Sequence, residues 1–138
     1  DGIRDYDVTG VQTCALPILG VVFAPLAGLI GVPWAEAPQA GYLLGVKLML
    51  TEFIAFIQLG GVPAEAMGER TRMIMTYALC GFANIGSVGI TVTGMGVLMP
   101  ERRAEIIGMV WKALIAGFLA TCMTAAVVGA MPRELFGL

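Results

Sequence analysis

The feature that most constrains this chain is a run, residues 73–100, without one charged side chain. At a rise of about 1.5 Å per residue, a helix of that length exceeds the roughly 30 Å of bilayer hydrocarbon. Its middle opposes a continuous helix. Gly81-Phe82-Ala83-Asn84-Ile85-Gly86-Ser87-Val88-Gly89 gathers three glycines, an asparagine and a serine. Each glycine costs about 1 kcal/mol against alanine in a helix interior. Asn and Ser side chains compete for backbone hydrogen bonds. The segment 73–99 therefore reads as a helix broken in mid-membrane.

Composition points to the same solvent. Apolar residues make up 58% of the chain and charged residues 13%, with a mean hydropathy of +0.87. Soluble domains run at about 45–50% and about 25%. A domain of 138 residues leaves much of its surface in water, so one soluble core does not absorb this surplus. It must face lipid or other membrane segments. A net charge of −2 gives no reason to expect a nucleic-acid partner. Without histidine, imidazole metal sites and His-based catalysis are excluded. Cys14, Cys80 and Cys122 lack metal-ligand spacing and read as small buried hydrophobes.

Three further hydrophobic blocks flank the broken one. The block 19–32 contains Pro25 and closes on Gly31 and Pro33; it is short for a crossing and reads as the end of a helix. A polar joint at 33–39 follows, with Trp34 placed to sit at a membrane–water interface. The block 41–61 carries Lys47, Thr51, Glu52 and Gln58. A carboxylate at bilayer depth costs about 2.5–3.5 kcal/mol. Two short helices, 41–50 and 53–59, meeting at Thr51-Glu52 would form a re-entrant hairpin. Non-helical backbone at that depth is tolerated only where protein or a water-filled cavity lines it. Charged loops at 65–72 and 101–105 bracket the broken helix, and 106–131 reads as a final helix. Lys112, near its start, reads as a snorkelling or interfacial lysine. Arginines on both sides of the broken helix leave the orientation open.

Residues 1–18 (DGIRDYDVTGVQTCALPI) differ in texture from everything after them. They resemble a translated sequencing adaptor, and no function is expected there; a genuine polar loop is the other reading. Lacking a start methionine, the chain is expected to begin inside a longer protein.

Two interrupted membrane segments with polar groups at their breaks point to a substrate site in a secondary transporter. A break exposes backbone N–H and C=O groups, which can replace a solute's lost water. Asn84 offers donors and an acceptor, Ser87 a hydroxyl, and ionised Glu52 acceptors only. A carboxylate accepting from two vicinal hydroxyls suits a ribose. The bland alternatives are a Lys47–Glu52 pair, poorly spaced at five residues, and Asn84, Ser87 and the glycines as helix-packing positions.

Three stretches carry a resemblance to the concentrative nucleoside transporter family: Gly31-Val32-Pro33-Trp34-Ala35-Glu36-Ala37, Gly45-Val46-Lys47-Leu48-Met49-Leu50-Thr51-Glu52-Phe53 and Ala78-Leu79-Cys80-Gly81-Phe82-Ala83-Asn84-Ile85-Gly86-Ser87. Order and spacing match as well, and the resemblance covers essentially everything after Leu19. It implies an all-α membrane protein, here a fragment of a larger transporter fold: a re-entrant helical hairpin, a discontinuous transmembrane helix and a terminal transmembrane helix. It implies that Glu52 at the hairpin tip and Asn84 and Ser87 at the helix break bind ribose, with Phe82 shaping the pocket. Thr51 stands where many members have Asn, and Gly86 where many have Ser, which puts ribose geometry or selectivity in question. The resemblance further implies a homotrimer in a bacterial inner membrane, taking up a nucleoside with Na⁺ or H⁺ as coupling ion. The ion site and the base-recognising hairpin are expected in the preceding half, so this chain alone is expected to hold half a site and not to transport. The competing class is a structural or channel-type membrane subunit whose breaks serve packing or a pore. An intramembrane enzyme finds no support, since the chain has no His and no Asp after Asp7.

Overall fold

A computed structural model describes residues 16–132. Among the described residues six α-helices follow one another: α1 (Leu16–Leu29), α2 (Ala37–Met49), α3 (Glu52–Gly61), α4 (Glu69–Leu79), α5 (Ile85–Leu98) and α6 (Arg103–Ala130), with a 3₁₀ turn, Pro100–Arg102, leading into α6. No strand occurs among the described residues.

Helix α1 starts at Leu16, ahead of the expected 19, and stops before 32. Its end is set by backbone chemistry. Val32 N–H donates to the Ala27 carbonyl and Gly31 N–H to that of Gly28, the two bonds of a Schellman closure. Gly31 has φ +98, a left-handed conformation that a side chain opposes. Helix α2 begins at Ala37, inside the stretch expected as a polar joint. Pro38 is no obstacle in that first turn, where its missing N–H would have no helical partner.

At about 1.5 Å per residue, the 13 residues of α2 and 10 of α3 reach about 20 and 15 Å, short of the roughly 30 Å hydrocarbon core. They form the expected hairpin, broken at Leu50-Thr51. Glu52 is the first residue of α3 rather than part of an unwound tip.

Helix α4 starts at Glu69, so half of the expected charged loop is helical. Its arginines serve other helices. Arg72 donates to the carbonyls of Leu59 (3.0 Å) and Val62 (2.8 Å) at the end of α3, and Arg70 to that of Gly129 near the end of α6. Cations there satisfy orphan carbonyls and complement the helix dipole. The break between α4 and α5 is narrower than the glycine cluster suggests. Only 80–84 is unwound, and Gly86 and Gly89 lie inside α5. The second charged stretch also winds, into the 3₁₀ turn and the start of α6, with Arg102 and Glu105 paired at 3.8 Å.

Glycines let α1 and α2 pack backbone against backbone. A Cβ on Gly41 would lie 2.5 Å from the Gly20 carbonyl oxygen, and one on Gly45 2.8 Å from Leu19 Cβ. Around this pair the core gathers Leu43 and Leu44 of α2, Ile74 and Leu79 of α4, and Phe118 and Cys122 of α6. Phe118 meets Phe23 edge-on at 5.8 Å. Cys80 is exposed, against expectation, because it falls on the unwound segment; Cys122 is buried as expected. Cys14 lies outside the described residues. Trp34 is exposed but lies against Gly28. Among the described residues, one segment is long and apolar enough to cross a membrane, Pro100–Ala130.

Candidate functional site

Two helix N-termini meet at the breaks. Thr51 caps α3 in an extended conformation, its Oγ1 accepting from Ile54 N–H at 3.4 Å. That bond is long, but the residue type suits the position. Glu52 follows in the first turn, where the positive end of the helix dipole favours a carboxylate. Asn84 caps α5, its Oδ1 accepting from the Ser87 N–H at 2.7 Å.

The two caps are linked. Asn84 Nδ2 donates to Glu52 Oε2 at 3.1 Å. Ser87 Oγ stands 2.9 Å from Asn84 Oδ1 and 2.8 Å from the Phe82 carbonyl oxygen; with one proton it donates to one of them at a time. Asn84 is nearly buried, whereas Glu52 and Ser87 are half-buried. An ionised carboxylate has about four lone-pair sites, and Asn84 occupies one. The cluster therefore offers a ligand open acceptors on Glu52, a second amide N–H on Asn84 and an adjustable hydroxyl on Ser87.

Of the five residues expected at the site, Glu52, Asn84 and Ser87 come together. Phe82 joins through its carbonyl, while its ring is 80% exposed. That ring borders a cavity of about 330 Å³ shared with Ser87, Val88, Thr91, Val110 and Leu114, between α5 and α6. Glu52 and Asn84 do not line this cavity; Ser87 stands at the boundary. Thr51 bonds its own helix and none of the other four. The Lys47–Glu52 pair is not formed. Among the described residues, the ion pair present is Arg102–Glu105. Lys47 instead donates to the Ala78 carbonyl oxygen at 2.7 Å and to Thr121 Oγ1 at 2.8 Å. Sequence reasoning weighed Lys47 only against its neighbour, and its buried charge was the signal that it has distant partners. Lys112 is exposed on α6.

Half-length helices meeting at capped, polar ends beside one long apolar helix are an arrangement that membrane transporters use. Residues 6–129 match the family described as Na⁺ dependent nucleoside transporter C-terminus. The chain belongs to that family. The match begins within the stretch that reads as a translated adaptor; residues 1–15 lie outside the described structure, and 16–18 open α1. The chain is 47% identical to the uncharacterized transporter YutK of Bacillus subtilis over 81% of its length and 28% of that protein's. It is 40% identical to the nucleoside permease NupC of Helicobacter pylori, again over 81% and 28%. With mouse sodium/nucleoside cotransporter 1 it shares 33% identity over 89% of its length and 21% of that protein's. Among solved structures, CNTnw in an inward-facing substrate-bound state superposes with a TM-score of 0.78 at 37% identity, over 88% of this chain and 32% of that one. The chain thus spans about a quarter of the length of the curated relatives it matches. The family and these relatives are transporters, not enzymes.

Proposed function

We propose that this chain supplies the ribose-holding half of the site for cation-coupled nucleoside uptake. The observation that carries this reading is the Asn84–Glu52 bond, which joins two capped helix ends and leaves the carboxylate largely open. Vicinal sugar hydroxyls donate to Glu52. The amide of Asn84 donates to a sugar oxygen, and Ser87 Oγ turns its proton toward or away from the ligand. The exposed Phe82 ring forms an apolar wall. The names of the Helicobacter pylori permease and the mouse cotransporter support a nucleoside as the solute. The family description supports Na⁺ as coupling ion, with H⁺ the alternative. In this reading the ion and the base are held by parts of the transporter outside this chain. The complete protein works as a homotrimer in a bacterial inner membrane.

The test is uridine uptake by the full-length transporter carrying Glu52→Gln. Hydrogen bonds to charged groups contribute about 1.5–3 kcal/mol, so uptake efficiency should fall about 10- to 100-fold. Undiminished uptake and affinity would remove Glu52 from the site.

A further inference from the structure

Lys47 is fully buried, and its ammonium meets neutral partners. A buried ammonium whose hydrogen-bond partners are neutral is costly unless its environment is built for it. The environment here is specific. Ala78, whose carbonyl oxygen accepts at 2.7 Å, lies in the last turn of α4, where carbonyls have no helical donor because the chain unwinds. A cation there caps the helix and complements its negative end. Thr121 of α6, whose Oγ1 accepts from Lys47 at 2.8 Å, gives its own proton to the Phe118 carbonyl at 2.8 Å. Its lone pairs are thereby left for the lysine. The Phe118 ring centroid lies 5.5 Å from Nζ, within range of a cation–π attraction.

The unwound segment runs over this knot. A Cβ on Gly81 would stand 2.4 Å from Thr121 Cγ2 and 3.7 Å from Lys47 Nζ. One ammonium thus joins α2, the end of α4 and α6 on the near side of the break. On the far side, Asn84 is held by Glu52, five residues beyond Lys47 in the same hairpin.

We propose that Lys47 is a positioning residue: by holding Ala78 and Thr121 it fixes the unwound segment 80–84, and with it the stance of Asn84 and Phe82 toward the sugar. This rests on the proposed ribose role of the cluster. The lysine touches no substrate, so its effect should appear as lost discrimination between sugars.

The experiment measures binding of uridine and 2′,3′-dideoxyuridine to the purified full-length transporter. The wild type should prefer uridine by about tenfold or more, the value of a hydrogen bond to a charged group. Lys47→Met should bring the ratio close to one. Thr121→Val, which keeps shape but removes the acceptor, should lower the ratio about threefold or more, and Thr121→Ser should retain it. If Lys47→Met does not accumulate, the threonine pair decides. Folded Thr121→Val protein with the wild-type ratio would overturn the proposal, as would a Lys47→Met variant that keeps it. A merely structural lysine would reduce folded yield or weaken both ligands alike, ratio intact, and that result also counts against the proposal. A wild type that binds the two ligands equally would instead overturn the ribose reading of the cluster.

Discussion

Asn84 uses both ends of its amide. Oδ1 starts α5 by accepting from Ser87, and Nδ2 reaches across to Glu52. The two roles separate on substitution. Asn84→Asp keeps a good cap acceptor but sets a second carboxylate against Glu52, where like charges oppose each other. We expect Asn84→Asp to fold and insert normally while losing nucleoside affinity by about tenfold or more, the value of one lost bond to a charged group; a binding isotherm on the purified full-length protein checks this. Affinity equal to wild type would mean that the amide donor is not used. These residues were legible in the sequence because carboxylates, amides and clustered glycines are conspicuous in apolar segments. Lys47 was equally conspicuous but its role was not legible. Its partners lie 31 and 74 residues away, beyond the reach of helical spacing rules.

At the scale of elements, glycine decides how closely α1 and α2 pack. A Cβ at Gly41 would press on the Gly20 carbonyl oxygen at 2.5 Å and on Ala24 N at 2.7 Å. Both are backbone atoms, so only a shift of a whole helix relieves the clash. Gly41→Ala should therefore cost about 1–3 kcal/mol, the range for overpacked cores, seen as a lower melting temperature of the detergent-solubilised full-length protein. Unchanged melting would show that the helices separate freely. Element existence was legible throughout, and both breaks fell where polar and glycine residues interrupt apolar runs. Boundaries were less so, most clearly at the charged stretches. Arg70, Arg72 and Arg103 read as loop residues, yet each lies in a helix. The guanidinium groups of Arg70 and Arg72 reach carbonyls at the ends of α6 and α3. Local charge carries no record of such distant acceptors.

At the scale of the whole molecule, large apolar side chains are left uncovered. Helix α5 buries only Val88, while Ile90, Val97 and Leu98 are exposed; on α6, Ile115 and Met123 are likewise open. In water such a surface would drive association. In the proposed function, lipid and further transporter segments cover it. The candidate site is open as well: Glu52 keeps free lone pairs and Phe82 is exposed. The most direct measurement is a structure of the full-length transporter with uridine bound. Ribose hydroxyl oxygens should lie within about 3.2 Å of the Glu52 carboxylate and of Asn84 or Ser87, ordinary hydrogen-bond distances, with α3 and α5 still capped by Thr51 and Asn84. A nucleoside bound elsewhere, with Glu52 engaged only by Asn84, would contradict it.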